Sequence, residues 1–138
     1  MAGIVTSLAR DRHLSVAVVV STLRIVPPPS RHQEVLELLR SVKGPTQAQP
    51  DCMSYRVYEE DDPERSILLL EEWTSDVVFY EYIRSELFRR VLAALELSRC
   101  APEVAIRHVS NSDGLDLIQR LRSEGDSTPA LQSTPTSQ

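Results

Sequence analysis

CMSYRVYE at residues 52–59 and SILLLEEW at residues 66–73, joined by EDDPER at 60–65, decide the fold. Side chains alternate across a strand. Met53, Tyr55 and Val57 therefore share one face of the first run, and Ser54, Arg56 and Tyr58 share the other. Glu60–Arg65 is an acidic turn built on Asp61-Asp62-Pro63, whose residues favour turns over strand. Two β-type runs so closely joined predict an antiparallel hairpin.

Downstream, Thr74 or Ser75 caps a helix predicted from Asp76 to about Leu97. Val77, Tyr80, Ile83, Leu87, Val91 and Leu95 track its apolar face, and Ser85 marks an irregularity. A last strand follows at Glu103–Val109, with Val104, Ile106 and His108 on one parity. Upstream, Leu14–Val26 reads as a strand apolar on both faces, stopped by Pro27-Pro28-Pro29. Ser30 and Gln33 have capping-box spacing for a helix carrying Val35, Leu38, Leu39 and Val42. Gly44 and Pro45 are the expected helix stop.

The order β-α-β-β-α-β predicts an α+β ferredoxin-like fold, a four-stranded antiparallel sheet with both helices on one face. The domain spans residues 14–111. It follows an N-terminal extension at 1–13 and precedes a short helix at 112–123 and a disordered tail at 124–138. Apolar residues on the uncovered sheet face predict a homodimer through that face, forming a dimeric α+β barrel.

Composition narrows the function. The chain has 138 residues, a net charge of −5, 41% hydrophobic and 25% charged residues, as expected for one globular domain. Its basic residues are scattered, which argues against nucleic acid as partner. No apolar run approaches the ~20 residues of a membrane span. Cys52 and Cys100 form no metal-ligand spacing, so no metal site is expected. Without a signal-peptide pattern, the expected setting is the cytoplasm, with free thiols.

Three elements carry a resemblance: Gln49-Pro50-Asp51-Cys52, Glu71-x-Trp73-x-Ser75 and Ser85-x-x-Phe88. Over roughly residues 15–110 the chain resembles the antibiotic biosynthesis monooxygenase family of small dimeric α+β barrels. Two positions depart from the family pattern. Tyr82 stands where the second helix usually has His, and Asp51 replaces a glycine. The haem-degrading branch uses an Asn and a His where this chain has Ser21 and about Leu92, so haem ligation is not expected.

The resemblance implies a cofactor-independent monooxygenase that oxidises a quinol-like or phenolic small molecule with O2. An electron-rich phenolate can reduce O2 by itself; the protein must bind it, favour its deprotonation and stabilise the developing charge. Trp73, Tyr82, Glu71 and His108 are the catalytic candidates. Arg24, Tyr55, Ser85 and Phe88 are the substrate-binding candidates. Five of them have a structural counterpart: core packing for Trp73, a half-buried structural position for Tyr82, pairing with an Arg or capping of the helix end for Glu71, a satisfied core or interface position for His108, and a wet strand end for Arg24. The competing functional readings are a non-catalytic small-molecule-binding or dimerisation protein, and an accessory protein engaging its partner through the C-terminal helix.

Overall fold

The computed structural model describes residues 18–133, with side chains to residue 126. The expected N-terminal extension, the start of the first strand and residues 134–138 lie outside the described residues. The elements are β1 (Val18–Ile25), a 3-10 turn (Pro29–Arg31), α1 (His32–Gln47), β2 (Cys52–Glu59) and β3 (Ile67–Trp73). There follow α2 (Asp76–Arg84), α3 (Phe88–Glu96), β4 (Glu103–Val109) and α4 (Leu115–Ser133). The sheet is antiparallel throughout, in the order β2-β3-β1-β4. This is the ferredoxin-like α+β arrangement.

One face of the sheet carries the core. Val19, Leu23 and Ile25 of β1 lie there beside Ile67, Leu69 and Trp73 of β3, beneath Val35, Leu39 and Val42 of α1. The opposite face presents Val20, Thr22 and Arg24 of β1 with Leu68, Leu70 and Glu72 of β3, all part-exposed. Burying one face only leaves the other for a partner surface or water.

Four local expectations are corrected. First, α1 does not stop at Gly44-Pro45 but runs on to Gln47. Proline lacks the N–H that would bond the carbonyl four residues back. That carbonyl belongs to Ser41, and Arg90 Nη1 reaches it at 3.4 Å. Second, Ser30 does not cap α1; the helix is entered through the 3-10 turn, with no side-chain cap at Arg31.

Third, the second helix is two helices, with Ser75 capping the first through Val78 N–H and the break at Ser85. The break resets the helical phase. Phe79, Tyr82, Phe88, Val91 and Ala94 are buried, whereas Val77 and Tyr80 are exposed. Fourth, a bulge between Cys52 and Ser54 shifts the β2 register. Cys52 takes the place expected of Met53 on the helix side, and Met53 is 53% exposed. Beyond β4, α4 runs past Arg122 through the stretch read as a tail, and its Leu115, Ile118 and Leu121 are exposed.

Candidate active site

Glu71 and Trp73 are two residues apart on β3, so both project from the helix-covered face. Both are fully buried. The Trp73 indole Nε1–H donates to Glu71 Oε1 at 3.1 Å. From α2, the Tyr82 hydroxyl donates to Glu71 Oε2 at 3.2 Å. Each carboxylate oxygen thus has one neutral donor and no cation. Burial pushes the Glu71 carboxyl up to about 7, although its two hydrogen bonds pull the other way. The group therefore changes charge where a general base is most useful.

Aromatic rings enclose this carboxyl. Trp73 and Tyr82 have ring centroids 4.8 Å apart, and Phe88 meets Tyr82 edge-on at 5.1 Å. Phe79 lies 5.9 Å from Trp73. On β2, Tyr55 pairs across the ladder with Glu71. Its hydroxyl donates to the Leu39 carbonyl at 2.6 Å, tying the sheet to α1. Burial raises the Tyr55 and Tyr82 hydroxyls well above the usual phenol range, so both stay protonated near neutrality. The Cys52 thiol is pushed up to about 11 by burial and by Glu71, which keeps it a thiol.

Ser85 sits at the rim. Its hydroxyl donates to the Tyr82 carbonyl at 2.6 Å and accepts from Phe88 N–H at 3.4 Å, so it builds the break between α2 and α3. It also lines an open surface groove of about 420 Å³ with Ile83, Arg84, Arg89, Leu92, Ala93 and Glu96, which neither Glu71 nor the rings around it border.

Two candidates lie apart from this group. His108 falls on the helix-side parity of β4 as read, yet it is exposed and bonds the Tyr80 hydroxyl at 3.1 Å. Its strand is an edge strand whose Val104 and Ile106 are also exposed, so apolar parity alone did not bury it. Arg24 lies on the opposite sheet face. It pairs with Glu60, with Asp62 at 3.0 Å and with Glu103 at 3.3 Å, so its guanidinium is already taken by carboxylates.

Thr46 was missed. It is fully buried, and its Oγ1 acts on the Tyr82 hydroxyl, against the burial that raises it, without forming a well-aligned hydrogen bond. The spacing Val35, Leu39, Val42, Thr46 continues the α1 face, a signal that the Gly44-Pro45 stop obscured. At the two haem-branch positions, Ser21 is buried opposite Glu71 and Leu92 is largely exposed. Among the described residues, no group of three or more His, Cys, Asp or Glu is placed to hold a metal.

A family model described as antibiotic biosynthesis monooxygenase matches residues 17–94, more than half of the chain. The chain belongs to that family. Comparison with curated proteins finds no match. Among solved structures, a conserved Methanosarcina mazei protein is 25% identical with a TM-score of 0.61, covering 70% of this chain and 96% of its own. Rv0793 from Mycobacterium tuberculosis is 25% identical with a TM-score of 0.60, covering 72% of this chain and 99% of its own. A structure named antibiotic biosynthesis monooxygenase shares the fold at 18% identity and a TM-score of 0.59, covering 70% of this chain and 99% of its own. Within the family frame, Glu71, Trp73 and Ser75 hold the strand-end motif and Asp51 replaces the glycine. Asp51 uses its carboxylate to accept from Thr74 Oγ1 at 2.7 Å, fastening the two strand ends.

Proposed function

We propose that this family member is a monooxygenase of a phenolic or quinol-like small molecule, acting with O2 through Glu71. The observation that carries the reading is a buried carboxyl, held by two neutral donors and poised near neutral pH, inside an aromatic cluster at the family-motif strand end. The substrate enters at the groove beside Ser85, and Phe88 or the α2–α3 break moves to let its ring reach Tyr82. Glu71 accepts the phenol proton. The phenolate then passes one electron to O2, and the phenoxyl radical and superoxide combine into a peroxide on a ring carbon that bears hydrogen. The peroxide takes the proton back from Glu71, and loss of the ring C–H proton with cleavage of the O–O bond releases water and leaves the quinone. Trp73 and Tyr82 steady the carboxylate before the proton arrives and the carboxylic acid afterwards.

One observation favours the second reading, a binding protein without turnover. Glu71 and Trp73 have no exposed surface, and Tyr82 is 2% exposed, so a substrate must move Phe88 or the α2–α3 break to reach them. Oxygen consumption by metal-stripped protein with a panel of reduced quinols and polyphenols separates the two. Heat-denatured protein is the autoxidation control. Monooxygenase action predicts uptake above that control, lost in Glu71→Gln and in Trp73→Ala. No uptake, with compounds that still raise Tm, moves the assignment to binding; a ligand at a hundred times its Kd stabilises by about 2.7 kcal/mol.

The open sheet face supports assembly with a second copy. Val20, Leu68 and Leu70 are part-buried there, beside Tyr58 at 42% exposure. Light scattering at micromolar protein should give the dimer mass. The monomer mass would remove this part of the reading.

A further inference from the structure

Two buried side-chain atoms lack a hydrogen-bond partner among the described residues, His32 Nε2 and Thr46 Oγ1. His32 Nε2 has a carboxylate 3.4 Å away, at Glu59 Oε1. Thr46 Oγ1 already acts on the Tyr82 hydroxyl as a hydrogen-bonding group, but the two are not well aligned while Tyr82 points to Glu71. A buried hydroxyl without a partner is costly, and valine would fill the same space without that cost. The hydroxyl therefore calls for a state of the cluster in which it is used.

The Glu71–Tyr82 pair supplies such a state. Tyr82 has one hydroxyl proton, and it points to Glu71 Oε2. That arrangement suits an ionised Glu71, which only accepts. A protonated Glu71 carries its own O–H and can donate back to the Tyr82 oxygen. The Tyr82 proton must then turn to another acceptor, and Thr46 Oγ1 is the hydroxyl beside it.

We propose that Thr46 is a positioning residue of the Glu71–Tyr82 pair, taking the Tyr82 hydrogen bond when Glu71 takes a proton. The inference rests on the reading of Glu71 as proton acceptor. Its consequence is a second hydrogen-bond arrangement inside the closed cluster. Thr46 lies in the last turn of α1, fully buried between exposed Pro45 and Gln47.

Among the described residues, five others surround the carboxyl. Cys52 and Tyr55 face it from β2, Ser21 from β1, Tyr82 from α2 and Trp73 from its own strand. None is charged near neutrality. Tyr55 has committed its proton to Leu39.

The test uses the single tryptophan, whose indole N–H rests on Glu71 Oε1. Trp73 fluorescence of the full chain is titrated with pH in the parent, Thr46→Val and Thr46→Ser. Loss of the hydroxyl removes the acceptor only in the protonated state, so Thr46→Val lowers the midpoint, by roughly half a pH unit to one unit for one net hydrogen bond. Thr46→Ser restores it. A merely structural Thr46 changes Tm and leaves the midpoint in place. An unchanged midpoint in Thr46→Val, or a shift that Thr46→Ser does not reverse, overturns the inference alone. A parent with no Glu71-dependent transition overturns it together with the reading of Glu71.

Discussion

Two carboxylates near the β1–β3 ladder show how placement decides what an acid can do. Asp62, in the turn after β2, accepts from Ser66 N–H at 3.0 Å, from Ser66 Oγ at 2.9 Å and from Arg24 at 3.0 Å. The Ser66 backbone bond leads in holding it below the usual carboxylate range, with Arg24 contributing. Glu71, on the opposite sheet face, has two neutral donors, and burial outweighs them. Asp62 is charged whenever the protein is folded near neutrality, so it is structural: it closes the turn in which Arg65 adopts a left-handed φ of 53°. Glu71 is left undecided between two charge states, a condition that costs stability and that catalysis can use.

The signs follow. A folded pKa above the unfolded one gives stability that is fully present below the unfolded value and is lost as pH rises through the folded value. For Glu71 that window runs from the ordinary 4.5 up to about 7. Asp62 behaves oppositely: its contribution is present above the ordinary aspartate range and is lost as pH falls through its depressed value.

The largest expected effect is Trp73→Ala. It removes a fully buried ring together with the donor to Glu71 Oε1, and urea unfolding should show a loss of about 3–5 kcal/mol. A loss under ~1 kcal/mol would mean the cluster is not packed as described. Next is Glu71→Gln, which keeps the shape and removes the titration. Denaturation across pH should lose its slope between 4.5 and about 7. Above that window the variant should gain up to ~3 kcal/mol over the parent, the equivalent of the shift at ~1.4 kcal/mol per unit. A parent whose stability is flat over the same window would erase the contrast with Asp62.

Tyr82→Phe is smaller. It strips one donor from the ionised carboxylate and should cost about 1–2 kcal/mol above the Glu71 midpoint, less below it, and raise that midpoint. Thermal melts at two pH values read this difference, and equal losses at both would tie Tyr82 to packing alone. Arg24→Gln should do least. Its ion pairs are part-exposed, so the effect should fade with added salt and leave the Glu71 midpoint where it was. A shift of that midpoint would mean the two sheet faces are coupled.

The order of elements along the chain and the hairpin were legible because alternation and turn chemistry are local. The meeting of Glu71, Trp73 and Tyr82 was legible in part: strand spacing placed the first two on one face, and the family motif marked all three positions. Their hydrogen bonds were not readable, since helix phase around Ser85 depends on a break that only packing fixes. The same limit misplaced Val77 and Tyr80 on the buried face. Thr46 was hidden behind a Gly-Pro stop signal that tertiary contacts override, with Arg90 reaching the freed Ser41 carbonyl. His108 shows the converse: its parity was right, but the edge strand on which it sits is exposed on that side, with Val104 and Ile106.

The most direct test of the account is the pH titration of Trp73 fluorescence in the parent and in Glu71→Gln, because the indole N–H lies on the carboxyl in question. The account predicts one transition with a midpoint near 7 in the parent, absent from Glu71→Gln. A transition that survives in Glu71→Gln, or a parent signal that stays flat through neutrality, would contradict it and leave Glu71 a structural carboxyl like Asp62.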